Sequence, residues 1–154
     1  MNTEKKTSFR IVGKILFVLY ILFVFYFLIF SDWYGRSGKT DGYQYNLVLF
    51  QEIRRFWNYR EQIGIFHTLM NLVGNVLIFV PFGFFMSLAR HKSNLFATAC
   101  YSFLFSFVVE VFQLVTKVGS FDVDDLLLNT LGGILGCIFF VICRVIRRQH
   151  GKGR

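Results

Sequence analysis

The chain has 154 residues, of which 55% are hydrophobic and 19% are aromatic. Only 17% are charged, whereas an ordinary soluble domain carries roughly 25%. This composition excludes a disordered chain and is too apolar for one water-soluble core. The net charge of +8 does not indicate nucleic-acid binding, because the basic residues lie at the ends of apolar runs. The sequence therefore predicts an all-α integral membrane protein of one domain, residues 1–154.

Four apolar runs are long enough to cross a hydrocarbon core of about 30 Å. They cover residues 14–30, 69–89, 95–115 and 126–146. The first run is interpreted as a membrane span and not as a signal peptide, because no small-residue cleavage site follows it. Pro81 lies inside the second run and cannot donate to the carbonyl of Leu77, so a bend is expected there.

The distribution of Lys and Arg predicts the orientation of these spans. Eleven of the 17 basic residues flank the spans on the side of the two termini, and six lie on the other side together with most carboxylates. By the positive-inside rule, we expect a multi-pass protein of the cell membrane with both termini in the cytoplasm.

The connection between the first two predicted spans is too long to be a simple turn. In its second half, about residues 47–65, apolar residues recur at spacings of three and four among charged ones. This periodicity predicts an amphipathic helix. The pattern fits a helix in the outer headgroup region and a helix packed on protein equally well.

Several polar side chains fall within or beside the predicted spans, where they are costly. They are Asn75, Glu110, Gln113, Asp122, Asp125 and Asn129, called the polar cluster below. In an antiparallel bundle they converge at the outer end. We expect Gln113 within hydrogen-bond reach of Asn129, and Glu110 one turn deeper, against Gly132 and Gly136.

Simpler explanations exist for part of this pattern. Asp122 and Asp125 can cap the fourth span, and Gly132 and Gly136, like Gly83, permit close helix packing. Capping does not explain Asn129. Asp124 is expected to point away from the cluster and so to serve as a control position.

Common catalytic motifs are absent from the sequence, and no cofactor or metal is predicted. His67 with Asp122, Asp124 and Asp125 is a weak candidate cation site, because the spacing is not that of an EF-hand. Cys100, Cys137 and Cys143 lie in apolar runs and are interpreted as unpaired, buried residues.

Three motifs in succession resemble the VanZ-like family of small bacterial membrane proteins. They read N-V-L-I-F-V-P-F-G from Asn75, E-x-x-Q from Glu110 and D-x-x-D-x-x-x-N-x-x-G from Asp122, and the resemblance extends over residues 43–143. Many members carry an arginine where this chain has Gly119, and Lys117 is a candidate replacement. The resemblance implies a link to low-level resistance against teicoplanin, a lipoglycopeptide that acts at the outer surface.

Three hypotheses follow for function. In the first, the polar cluster binds a lipid headgroup, a glycopeptide or a cell-wall lipid precursor. In the second, it is the site of an intramembrane enzyme that acts on a lipid-linked envelope substrate, with Glu110 as general base and the aspartates holding a metal or water. In the third, it serves helix association alone in a structural or regulatory subunit. Lack of a nucleophile or convincing metal set favours the first and third. The expected surroundings are the lipid bilayer, with no nucleic-acid partner, and oligomerisation is left open.

Overall fold

The computed structural model describes residues 3–30, 42–58, 65–90 and 93–150. These residues form long helices joined by short connections and one small strand pair. In chain order the elements are α1 (Thr3–Phe30), β1 (Tyr45–Asn46), α2 (Gln51–Asn58), α3 (Ile65–Arg90), α4 (Leu95–Thr116), β2 (Phe121–Asp122) and α5 (Val123–His150). The fold is all-α, as predicted.

Three of these helices are long and apolar enough to cross a membrane. The qualifying stretches are Leu72–Arg90 in α3, Leu95–Thr116 in α4 and Val123–Gln149 in α5. The apolar stretch described in α1, Ile11–Phe27, is shorter. The structure thus has the character of a helical membrane protein, and the predicted count of four spans stays a prediction.

Helix α3 is central to the packing, with α1 on one side and α5 on another, while α5 also packs against α4. Helix α1 runs antiparallel to α3, because Gly13 near its start lies beside Ala89 near the end of α3. Buried Phe79 and Phe82 of α3 form the core with Val24 of α1 and Val109 of α4.

Glycines bring the backbones of α3 and α5 into contact. A Cβ atom on Gly136 would lie 1.9 Å from the carbonyl oxygen of Val80, and one on Gly132 would lie 2.1 Å from that of Val76. From the α3 side, a Cβ on Gly83 would lie 1.9 Å from a carbonyl oxygen of α5. These distances are far below any van der Waals contact, so only glycine permits this approach.

Helix α3 continues without interruption through Pro81. Pro81 cannot donate the i to i−4 hydrogen bond, and the helix tolerates this loss without ending there. The bend expected at this point stays a prediction.

Residues 42–58, called the cap segment below, lie across the end of the bundle where α4 stops and α5 starts. Strand β1 pairs in parallel with β2, with Tyr45 opposite Phe121. The helix predicted over residues 47–65 begins later in the structure, because Phe50 has a left-handed φ of 63° and α2 starts after it. Residues 59–64 lie outside the described residues.

Candidate functional site

A tight turn after α4 builds the frame of the site. Lys117 takes a left-handed conformation with φ 55°, and its amide donates to the carbonyl of Leu114 over 3.2 Å. The amides of Val118 and Gly119 both donate to the carbonyl of Gln113. This C-cap satisfies carbonyls that the helix end leaves open and turns the chain back along α4. The start of α5 consequently lies beside the last turns of α4.

Glu110 of α4 contacts the start of α5. Its side chain is only 3% exposed, and Oε2 accepts a 3.0 Å hydrogen bond from the backbone amide of Asp122. The expectation that Glu110 lies against Gly132 and Gly136 is wrong, because those glycines face α3 and the returning chain supplies a nearer donor. Its carboxylate thus satisfies an amide just before α5.

Asp122 joins three parts of the fold. Its Oδ1 accepts a 2.8 Å bond from the amide of Asp124, which makes Asp122 the N-cap of α5. Both of its carboxylate oxygens also accept from Nδ2 of Asn46, at 3.2 and 3.3 Å. The capping role expected from the sequence is therefore combined with attachment of the cap segment through β1.

Asp124 is the residue that sequence reasoning misplaced. It is 1% exposed, and its two oxygens accept from the backbone amides of Phe50 and Ile53, the latter over 3.2 Å. These amides belong to the open N-terminus of α2, so a carboxylate of α5 caps a helix remote in sequence. Asp124 cannot serve as a neutral control. Its acidity was visible in the sequence, but its partner depends on where the cap segment docks.

The remaining members of the polar cluster connect α5 to its two neighbours. Asn75 of α3 donates through Nδ2 to Oδ1 of Asp125. Asn129 donates over 2.8 Å to Oγ of Ser106, and not to Gln113 as expected. Gln113 is 1% exposed beside the turn that its own carbonyl stabilises.

Sequence reasoning missed a line of small polar residues on α4. Buried Thr98, Ser102 and Ser106 precede Glu110 at intervals of four residues, which places all of them on one helix face. Ser102 contacts α5 closely, since its Oγ lies 1.9 Å from where a Cβ of Gly133 would be. The i, i+4 spacing was the available signal, although serine and threonine are common enough in membrane helices to be overlooked.

The contacts recorded for these carboxylates are hydrogen bonds in which the carboxylates accept. Among the described residues, no group of three or more His, Cys, Asp and Glu side chains is placed to hold a metal ion. The weak cation-site hypothesis also named His67, whose side chain lies outside the part of the chain that the structure describes.

Lys117 is the candidate replacement for the arginine that many family members carry. Its ammonium lies 5.1 Å from the ring centroid of Tyr43 in the cap segment.

The outer face of the cap segment is apolar and exposed. Its most exposed large side chains are more than 60% accessible, and they are Tyr43, Tyr45, Leu47, Val48 and Trp57. Arg54 and Arg55 are exposed on the same segment. Aromatic and basic side chains together are typical of surfaces that lie at a membrane interface or contact amphiphiles.

Comparison with known proteins gives a consistent result. The model of the VanZ/LLP1 family matches residues 17–144. Protein VanZ of Enterococcus faecium is 25% identical over 127 residues, which are 82% of this chain and 72% of that protein. No solved structure matches the chain.

Proposed function

This chain belongs to the VanZ/LLP1 family, and from that membership we propose that it protects the bacterial envelope at its outer face, including against teicoplanin. The protein would span the cell membrane four times, with both termini in the cytoplasm. The basic residues that flank the long helices support this orientation. In this arrangement the cap segment and the polar cluster lie at the outer leaflet.

The proposed binding site is the end of the bundle under the cap segment. The observation that carries this proposal is the presence of four carboxylates, Glu110, Asp122, Asp124 and Asp125, within the last turns of α4 and the start of α5. Buried carboxylates cost free energy unless they are paired, and helix packing alone does not require so many. A ligand with hydrogen-bond donors, such as a glycopeptide or a lipid headgroup, would find acceptors there once the cap segment moves.

Movement of the cap segment is part of this proposal, because this segment covers Asp122 and Asp124. Asp122 is 6% exposed and Asp124 is 1% exposed. The cap segment is attached by a two-residue strand pair and side-chain contacts rather than by an extended sheet. The apolar outer face of the same segment suits an amphiphile such as a lipoglycopeptide.

The test is the teicoplanin susceptibility of a sensitive bacterium that expresses the protein, normalised to the amount inserted in the membrane. We expect the wild-type protein to raise the inhibitory concentration. Glu110→Gln, Asp125→Asn and Asn129→Ala should each abolish this effect while insertion stays normal. The first two replace a carboxylate with an uncharged amide and the third removes an amide, and none of them removes a helix.

A matched control is Asn94→Ala. Asn94 caps the start of α4, at the end away from the cluster, by accepting from the amide of Ala97 over 3.1 Å. Losing that cap should cost about 1 kcal/mol and leave protection intact. If the three cluster variants protect as well as the wild type, the cluster serves helix association alone and the binding proposal is wrong.

A further inference from the structure

Apart from the polar cluster, helices α1, α3 and α4 enclose an apolar groove of about 430 Å³. Buried Phe82 and Met86 of α3 line it, with Phe17 of α1 on one side and Leu104 of α4 on the other. Its volume lies within the range of about 300–1,000 Å³ that is typical of small-molecule sites.

The groove follows from the way the helices pack. Helices α1 and α4 make few contacts with each other, so the face of α3 between them is incompletely covered. The groove opens at the surface, because Leu104 is 57% exposed and Tyr101 is 51% exposed. In a bilayer this opening faces lipid, and an unfilled apolar groove would forfeit dispersion contacts that an acyl chain can supply.

Among the described residues that line the groove, the one cation is Arg90, at one end. Arg90 is the last residue of α3, and its guanidinium carbon lies 5.6 Å from the ring centroid of Tyr101. Both residues line the groove. From Phe82 to Arg90 the helix rises about 12 Å, at 1.5 Å per residue. The apolar groove thus extends over about this length and ends at Arg90, at the boundary of a predicted membrane span.

We infer that this groove binds one anionic phospholipid, with an acyl chain along Phe82 and Met86 and the phosphate at Arg90. Arginine pairs with phosphate through two parallel hydrogen bonds, which gives the charge complementarity at the mouth. The inference needs only that α3 and α4 lie in a bilayer. It is independent of the polar cluster and of teicoplanin, so the two proposals fail separately.

The test compares two lipids with the same acyl chains and different headgroup charge. Delipidated full-length protein is titrated with dioleoyl phosphatidylglycerol or dioleoyl phosphatidylcholine, and bound lipid is counted by native mass spectrometry. We expect one tightly bound phosphatidylglycerol and weaker phosphatidylcholine binding. Both headgroups carry a phosphate, but the choline cation of phosphatidylcholine is repelled by the guanidinium of Arg90. Arg90→Gln should weaken phosphatidylglycerol binding about tenfold, as expected for one lost charge-assisted contact.

Two control variants separate the groove from general effects. Arg148→Gln removes an exposed cation of α5 outside the groove and should leave binding unchanged. Leu104→Trp fills the groove from its exposed wall and should displace the bound lipid, whereas Leu135→Trp, at a 43% exposed position of α5, should not. Equal affinity for both lipids, equal effects of the two arginine variants, or undiminished binding to Leu104→Trp would overturn the inference.

Discussion

At the scale of single residues, the carboxylates at the start of α5 have different partners although they are close in sequence. Asp122 caps its own helix, Asp124 caps α2, and Asp125 accepts from Asn75 of α3. These three carboxylates, within four consecutive positions, therefore attach the cap segment, cap the N-terminus of α5 and join α5 to α3. Each contact offsets the free-energy cost of burying a carboxylate or of leaving the first amides of a helix without acceptors.

Removal of the Asp124 carboxylate should loosen the cap segment. Asp124→Ala leaves the amides of Phe50 and Ile53 without their acceptors, at an expected cost of about 1–3 kcal/mol. Hydrogen exchange of residues 50–53 in detergent-solubilised protein should accelerate. Asn94→Ala, which removes a cap at the other end of α4, should leave this exchange unchanged; unchanged exchange in Asp124→Ala itself would contradict the capping role.

These contacts also mark what the sequence could predict of the site. Polar residues in apolar runs drew attention to Asn75, Glu110 and Asn129, because burial of polar groups is costly wherever it occurs. All three are buried in the structure, and their functional role stays a prediction. The individual partners were not predictable. They depend on the left-handed turn at Lys117, which moves the start of α5 beside Glu110, and on the docking of a segment far away in sequence.

At the scale of elements, apolar runs predicted the long helices, and the structure extends most of them at their ends. Helix α5 continues to His150, beyond the predicted boundary at residue 146, since a helix can pass from lipid into polar surroundings without a break. The strand pair was not predictable, because two residues carry no usable periodicity and the partners are 76 positions apart.

The contact between α3 and α5 gives a prediction about stability. In Gly136→Ala, the new Cβ would lie 1.9 Å from the carbonyl oxygen of Val80, so the helix backbones must separate. We expect a loss of about 1–3 kcal/mol, the usual cost of overpacking, measured as a lower thermal midpoint in detergent. The control Gly42→Ala adds a Cβ with nothing within 4 Å and should be neutral. Equal midpoints for both variants would show that α3 and α5 are not in backbone contact.

At the scale of the whole molecule, the described helices place the cap segment at one end of the bundle, opposite the connection between α3 and α4. The start of α1 lies at the end of α3, where Gly13 is next to Ala89. This arrangement agrees with an antiparallel bundle. From the distribution of Lys and Arg we expect the end with the cap segment on the outer side of the membrane, and this orientation stays a prediction.

Cysteine labelling can test that assignment. In protein lacking Cys100, Cys137 and Cys143, a cysteine is placed either at Gly42 in the cap segment or at Ser93 between α3 and α4. A membrane-impermeant maleimide added to intact cells should modify the first and not the second, because the positive-inside rule places the Ser93 side in the cytoplasm. Labelling of the cysteine at Ser93 alone would reverse the proposed topology.

The central claim is that the protein acts through polar groups that the cap segment covers, so fixing that segment tests the claim most directly. Tyr45 and Phe121 are opposite each other in the parallel strand pair. Neighbouring strands lie about 4.8 Å apart, within the Cα separation of about 4.4–6.8 Å that a disulfide spans. In the cysteine-free protein, the double variant Tyr45→Cys/Phe121→Cys can therefore be closed by oxidation and released by an impermeant reductant. Tyr45→Cys alone is the matched control.

The measurement is the teicoplanin susceptibility of cells that carry this double variant in its oxidised and reduced forms, at equal amounts of inserted protein. The account predicts that oxidation abolishes protection, that reduction restores it, and that the single variant protects under both conditions. Full protection by the oxidised double variant would contradict the account, because the protein would then protect the cells while its carboxylates stay covered and out of contact with any ligand.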